Sequence, residues 1–407
     1  MLQPLRLPVG LGSLSSHVCP RAKACKESRT RRAIITGTGL YTPPQRISNQ
    51  ELVDALTVSV ERFNQEHARE IAEGKIAARE LSSDAFIVKA SGIQSRYVLD
   101  KTGVLDPDRM YPRLPLRGDD ELSLQAEIAV AAVEQALKQA GRAPGDIDAL
   151  LIGASNLQRA YPAVAIEVQH ALGARGYAYD LNVACSSATF ALQAAADAVR
   201  TGSARCVAVV NPEITSGHNN FELRDHHFIF GDACTASIVE DAACASASSG
   251  FEILSTKLET VFSNNIRNNF GFLNRSEEPQ RSSHDRVFNQ NGRQVFREVC
   301  PMVSRHIQAH LAERGVAPGE LRRMWLHQAN LNMNRLIGTA VLGHEPNSDE
   351  APVILDEYAN TSSAGCVIAF HKFRDDFRPG ELGLLCSFGA GYSVGSVLVR
   401  RCEDLER

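Results

Sequence analysis

Nowhere in the 407 residues is there an apolar run of the ~18 side chains a helix needs to cross a bilayer, and the longest alanine-rich stretches carry charges at helical spacing. An excess of one charge sign is missing too. Lys and Arg number 43 against 47 Asp and Glu, a net charge of −4, which gives no electrostatic reason to expect nucleic acid or an anionic membrane as partner. The ten cysteines form no CxxC pair and are irregularly spaced in a chain too long to need covalent staples. That argues against a disulfide framework or zinc site and for a reducing, cytoplasmic setting. The Gly37-Thr38-Gly39 turn lacks the third glycine of a dinucleotide fingerprint.

What is present is enough apolar residue, 44% of the chain, to bury a large core. Residues 1–32 stand apart, with seven Arg or Lys, one Glu and interspersed Pro, Gly and Ser. Prolines and glycines break the apolar run a secretory signal would need, so residues 1–30 read as a disordered tail, with an organelle transit peptide as the alternative. From there strand and helix patterns alternate. The stretch 32–43 reads as a buried strand, 123–141 as an amphipathic helix stopped by Gly141, and 146–155, 177–183, 205–211 and 234–240 as strands, with helices near 162–171 and 186–200. The second half repeats the theme: a helix near 290–313, strand RRMWLH, a helix from 329, strand PVILDEY, a helix from 362, then strands ELGLLCSF and GSVLVRR. Each half supplies about five strands, which predicts α/β layers around buried sheets. Polar stretches at 58–83 and 100–121 interrupt the first half, the second as a long surface loop.

Three junctions carry chemistry. Cys185 sits where the strand YDLNVA meets a helix of small residues, a place where unpaired N–H groups and the helix dipole lower a thiol pKa from ~8.5. Taken alone, such a cysteine on an apolar strand end is more often packing than nucleophile. His327 in LHQANLNMNRL and Asn360 in YANTSSAG also stand at strand ends before helices, where open α/β sheets bind ligands. A nucleophile with an imidazole and a third polar group would account for all three.

The segments NVACSSATFAL, IFGDACTA, LHQAN, YANTSSAG and FGAGYSVG, in that order, resemble the motifs of the β-ketoacyl-ACP synthase III family, and the likeness runs from about residue 33 to 401. Within the family the chain is most similar to the β-ketodecanoyl-ACP synthase branch, which condenses a medium-chain acyl-CoA with malonyl-ACP. The resemblance implies a thiolase-like α/β fold of two similar halves, residues 31–245 with Cys185 and 246–407 with His327 and Asn360. Each half would carry a five-stranded mixed sheet in an α/β/α/β/α arrangement. It also implies an acyltransferase without cofactors, a homodimer, and acyl carrier protein and acyl-CoA as partners. Cys185 would carry the acyl group from a primer such as octanoyl-CoA, and His327 and Asn360 would stabilise the enolate formed as malonyl-ACP loses carbon dioxide. Backbone N–H groups of Cys185 and Ala390 would form the oxyanion hole.

The chain departs from the family pattern in places. FIVKASG (86–92) puts Phe86 at the family's adenine-stacking tryptophan and Ala90 at its arginine, leaving Lys89 as the nearest candidate for phosphate. Asn332 stands where an arginine often meets the carrier protein, and Arg335 lies one helical turn on. Asn330 closes the HQAN motif as a further substrate-binding candidate, and Tyr161 stands where the family places a bulky tunnel-end residue contributed to the neighbouring subunit. Other readings are set against these. A thiolase needs a second cysteine where Ser387 stands, and Cys386 is one residue off. An α/β-hydrolase needs a GxSxG elbow at a strand-to-helix turn. The histidines His306 and His310, at i and i+4, read as a solvated helical face ahead of a metal pair, the DHH at 225–227 as buried and hydrogen-bonded, and the remaining cysteines as structural. A non-catalytic partner subunit, or an enzyme condensing acyl-CoA chains or transferring an acyl group in a secondary-metabolite pathway, are the alternatives.

Overall fold

A computed structural model describes residues 31–403 and Leu405; the tail expected at 1–30 lies outside the described residues. Nine strands form one mixed sheet: β1 (Ala33–Tyr41), β2 (Ala149–Gly153), β3 (Tyr177–Leu181), β4 (Cys206–Glu213), β5 (Ala233–Asp241), β6 (Ser249–Ser263), β7 (Leu321–Leu326), β8 (Leu382–Gly389) and β9 (Gly391–Glu403). Their order is β7-β8-β9-β6-β1-β5-β4-β2-β3. The β2 strand runs parallel to β3 and β4, and β7 parallel to β8, while the other ladders are antiparallel. Only two residue pairs, Ile34 with Glu252 and Ile35 with Phe251, join β1 to β6. That short ladder links a five-stranded first half to a four-stranded second half.

The helices sort into a cap and three layers. Helices α1 (Asn49–Glu66) and α2 (Asp84–Ser91) belong to a cap. Helices α3 (Leu124–Ala140) and α4 (Val164–Leu172) cover the outer face of the first half, and α6 (Gly292–Glu313) and α7 (Leu331–Leu342) cover the outer face of the second. Between the halves lie α5 (Ser187–Thr201) and α8 (Ala364–Lys372), packed against strands of both. The arrangement is the α/β/α/β/α layering expected. Small side chains make it possible: Ala188, Ala191, Ala195 and Ala196 of α5 are fully buried, and α8 is buried from Ala364 to Phe370. The central strands β4 and β5, covered on both faces, are buried at every position, which is why they read as continuous apolar runs. The GTG pair also has a packing explanation, since a Cβ on Gly39 would lie 1.9 Å from the Ala132 carbonyl oxygen of α3.

One expected strand does not form. PVILDEY, read as the fifth strand of the second half, is irregular from Pro352 and then turns into a short helix, Leu355–Tyr358. Pro352 has no N–H for a ladder, and the Gln328 side chain takes the backbone groups instead: its Nε2 donates to Pro352 O at 3.4 Å and its Oε1 accepts from Ile354 N–H at 3.0 Å. The polar stretch 58–83 begins as the last turns of α1, a helix capped at its start by the Ser48–Glu51 box, continues in a short helix, Ala68–Ala72, and is non-helical beyond it. Among the described residues no helix is long and apolar enough to cross a membrane.

Candidate active site

Two of the three singled-out residues, Cys185 and Asn360, are placed by strained backbone. Cys185 follows Ala184, whose φ of 47° is left-handed, and it precedes α5 by two residues. Asn360 follows Ala359 at φ 56°, and Ser362 has φ 49°. Such a conformation in a non-glycine residue costs on the order of 1–3 kcal/mol and persists only where the surroundings over-determine it. Gly389 completes the set. A Cβ there would lie 2.7 Å from Cys185 Cβ and 3.1 Å from its Sγ, so only glycine lets β8 approach the sulfur.

Hydrogen bonds fix the polar atoms. The Ser362 hydroxyl donates to Cys185 Sγ at 3.4 Å, and Ser362 N–H donates to Asn360 Oδ1 at 2.9 Å, which leaves the Asn360 NH₂ as the donor available to a ligand. Asn360 is itself held by its backbone to Ile229 and Gly231 of the IFGDACTA segment. His327 continues from β7, its N–H donating to Cys386 O at 2.7 Å, and its ring meets Phe388 edge-on with centroids 5.1 Å apart. Its buried Nδ1 has no protein partner. Burial pushes the imidazole pKa down to about 3, with a backbone contact from Ser362 opposing. The ring is neutral at physiological pH and can donate one N–H.

The thiol departs from the expectation of a lowered pKa. Burial pushes Cys185 up to about 11; the Ser362 hydroxyl and the N–H groups of Cys185 and Ala390 pull it down, and the charge of Glu213 adds to the rise. Helix α5 begins only at Ser187, so Cys185 stands outside the first turn where the dipole is strongest. The resting sulfur is a thiol. The two N–H groups that face it are nevertheless the pair expected as an oxyanion hole.

A cavity of about 960 Å³ brings Cys185, His327, Asn360 and Gly389 together at one polar end. Its wall combines apolar side chains, among them Phe228, Phe230, Phe288, Val295 and Met333, with the polar Asp225, His226, Gln290, Asn291 and Arg293, and it extends to Phe86. The Arg224 guanidinium lies over the Phe86 ring, 3.7 Å from its centroid. Sequence reasoning missed Arg224, although it stands only five residues before IFGDACTA. It also missed Arg293, which, unlike Arg224, lines the cavity itself. Asn330 is at the cavity wall, but its amide is committed: Oδ1 caps α7 through Asn332 and Met333, and Nδ2 donates to Ala90 O at 2.7 Å. Lys89, Arg335 and Tyr161 lie outside the cavity lining. Lys89 offers Asn332 its carbonyl, Arg335 faces Glu345 at 3.6 Å, and Tyr161 is 85% exposed.

The competing readings resolve on contacts. Cys386 packs in the outer core with α6 and α7, while Ser387 faces Thr189 of α5 at 2.6 Å, so the two point to opposite faces. The letters GxSxG do occur, at Gly391–Gly395, but Ser393 lies within β9 and its hydroxyl is held by Ser186 and Ala390, with no strand-to-helix elbow. His306 and His310 are not a solvated face. Both are buried and share Ser396, at 3.1 and 2.7 Å. Among the described residues no three His, Cys, Asp or Glu gather as a metal site.

Known proteins resemble this chain along most of its length. The model of 3-oxoacyl-[acyl-carrier-protein (ACP)] synthase III matches residues 179–261, and that of its C-terminal part matches 311–401. The chain is 57% identical over 349 residues, 86% of its own length and 100% of the relative's, to the β-ketodecanoyl-[acyl-carrier-protein] synthase of Pseudomonas aeruginosa. To the β-ketoacyl-[acyl-carrier-protein] synthase III of Granulibacter bethesdensis it is 28% identical over 376 residues, 91% of this chain and 99% of the relative. Among solved structures, the priming β-ketosynthase of the R1128 polyketide pathway superposes with a TM-score of 0.72 at 24% identity, covering 94% of this chain and 100% of the other. The 3-oxoacyl-[acyl-carrier-protein] synthase III of Aquifex aeolicus gives 0.69 at 23%, covering 90% and 99%. At those identities the structures speak for the fold.

Proposed function

The chain belongs to the 3-oxoacyl-[acyl-carrier-protein] synthase III family, acyltransferases of thiolase-like fold, and on that premise we propose that it condenses a medium-chain acyl-CoA with malonyl-ACP through an acyl group carried on Cys185. The observation that carries the reading is the single cavity joining Cys185, His327 and Asn360 to Phe86, on whose ring Arg224 is stacked. The 57% identical relative, named for a ten-carbon product, supports the primer class.

In the first half-reaction the Cys185 sulfur attacks the thioester carbonyl of the acyl-CoA, and CoA departs as its thiol with the proton that Cys185 gives up. Negative charge on the carbonyl oxygen meets the N–H groups of Cys185 and Ala390. In the second, malonyl-ACP loses carbon dioxide, and the enolate oxygen takes hydrogen bonds from neutral His327 and the Asn360 amide. Two such donors in a site screened from water supply several kcal/mol of selective stabilisation. The carbanion attacks the acyl-enzyme, the 3-oxoacyl-ACP forms, and the Cys185 thiolate takes up a proton. A thiol pKa of about 11 favours that return.

Phe86 at the cavity wall is the candidate surface for the flat base of CoA, and the Arg224 guanidinium, already stacked on the Phe86 ring at 3.7 Å, is the nearby cation that takes over from Lys89 as the phosphate candidate. The reaction draws on its two thioester substrates and no cofactor, with the carrier protein as partner in the cytoplasm. A homodimer suits the edge position of β3, which exposes Tyr177 and Tyr179, and the exposure of Tyr161. The test is intact-mass spectrometry with octanoyl-CoA. The unmodified chain gains one acyl group and Cys185→Ala gains none; acylation of the variant would overturn the nucleophile.

A further inference from the structure

Directly behind the site lies a carboxylate that this chemistry does not use. Glu213 ends β4, is 1% exposed, and accepts four hydrogen bonds from two serines. Ser155 donates its N–H at 3.0 Å and its hydroxyl at 2.6 Å; Ser363 donates its N–H at 3.1 Å and its hydroxyl. Burial raises the carboxyl pKa and the four donors oppose the rise.

The two serines lead to the two sides of the reaction. Along one line, Ser155 O accepts from Asn182 Nδ2 at 2.9 Å, and Asn182 Oδ1 accepts from the N–H of the strained Ala184 at 2.9 Å, directly before Cys185. Along the other, Ser363 adjoins the strained Ser362, which donates to Cys185 Sγ and to Asn360 Oδ1. Both left-handed residues beside the sulfur therefore trace back to one carboxyl group. A buried acceptor serving two obligate backbone donors is costly to remove, because each N–H is then left without a partner. Strain at Ala184 and Ser362 persists only while something over-determines it.

We propose that Glu213 is a positioning residue that holds the Cys185 turn and the Asn360–Ser363 loop in mutual register, so that sulfur and enolate donors meet the same substrate carbon. The proposal rests on the reading of Cys185, His327 and Asn360 given above. It is geometric, and the glutamate's shape and acceptor count matter more than its charge: in Glu213→Gln, Oε1 retains three donors and the new NH₂ can donate to the Ser155 hydroxyl.

The experiment compares Glu213→Ala and Glu213→Gln with the unmodified enzyme by steady-state kinetics on octanoyl-CoA and malonyl-ACP, with circular dichroism and urea midpoints measured alongside. Ångström-scale misplacement costs up to ~100-fold in rate, so Glu213→Ala should lose about ten- to one-hundredfold in kcat per folded molecule, with KM for both thioesters within about twofold. Glu213→Gln should recover to within about threefold. A folded Glu213→Ala with unchanged kcat, or a Glu213→Gln as impaired as the alanine variant, overturns the proposal. If Glu213→Ala does not fold, the Ser155→Ala/Ser363→Ala double variant decides: a loss of kcat at constant KM supports the proposal and an unchanged kcat overturns it. The readings fail separately, because an unmodified enzyme that carries no acyl group on Cys185 overturns the reading beneath, whereas normal acylation with an indifferent Glu213 overturns this inference alone.

Discussion

The division of labour proposed for Cys185, His327 and Asn360 rests on their surroundings. Cys185 is a half-buried cysteine whose desolvation favours the thiol, with two backbone N–H groups facing its sulfur, and His327 is an imidazole that burial keeps neutral. A neutral ring can donate to an enolate oxygen, but it is a poor base toward a thiol whose pKa is about 11. His327→Ala and Asn360→Ala should therefore lose malonyl decarboxylation by at least ~100-fold while acylation of Cys185 proceeds at a measurable rate. Normal decarboxylation in both variants would remove them from the mechanism. The depressed pKa adds a pH signature. With the folded value near 3, the imidazole stays unprotonated from pH 8 to 5, so decarboxylation by the acyl-enzyme should show no acid limb near 6.5, where a solvated histidine titrates. A limb there that vanished in His327→Ala would contradict the assignment.

Between residues and fold stand the strand ends and turns, and here glycines give the sharpest contrast. Gly39 meets the backbone of α3 and Gly389 meets Cys185. Gly39→Ala should act on the whole structure, costing ~1–3 kcal/mol or more as strand and helix separate, read as a lowered urea midpoint. Gly389→Ala should act on chemistry, cutting acylation of Cys185 far more than the midpoint falls. Equal stability loss in both, with acylation intact in Gly389→Ala, would place the close approach outside the site. The same elements show what the sequence discloses. The strand-to-helix junctions at Cys185 and His327 are legible because both flanking patterns are strong and local. PVILDEY misleads because Val353 and Ile354 look strand-forming, while the groups that decide its fate, Pro352 and the distant Gln328 amide, act through one side-chain bridge. The fifteen-residue β6 goes unread because its second half, LETVFS, is exposed and mixes charge with apolar residues. Arg224 escapes because its partner Phe86 lies far away in sequence, and Glu213 because four long-range donors identify it.

For the whole molecule, the layered halves leave β3 as an edge with parallel-stacked Tyr177 and Tyr179 exposed, their centroids 6.3 Å apart. A bare edge invites pairing unless something covers it. Sedimentation should show a dimer at micromolar concentration, and Tyr177→Lys with Tyr179→Lys should release monomers. A monomeric unmodified enzyme would contradict the dimer. In such a dimer Tyr161 can wall the partner's tunnel, and the apolar cavity then sets the primer, since each CH₂ buried adds ~0.8 kcal/mol. The measurement that tests the central claim most directly is intact-mass spectrometry after brief exposure to an equimolar panel of acyl-CoAs from two carbons upward. The account predicts one adduct, on Cys185, dominated by a chain of ~8 carbons, with the optimum moving longer in Tyr161→Ala. A dominant acetyl adduct, or an adduct on any residue other than Cys185, would contradict it.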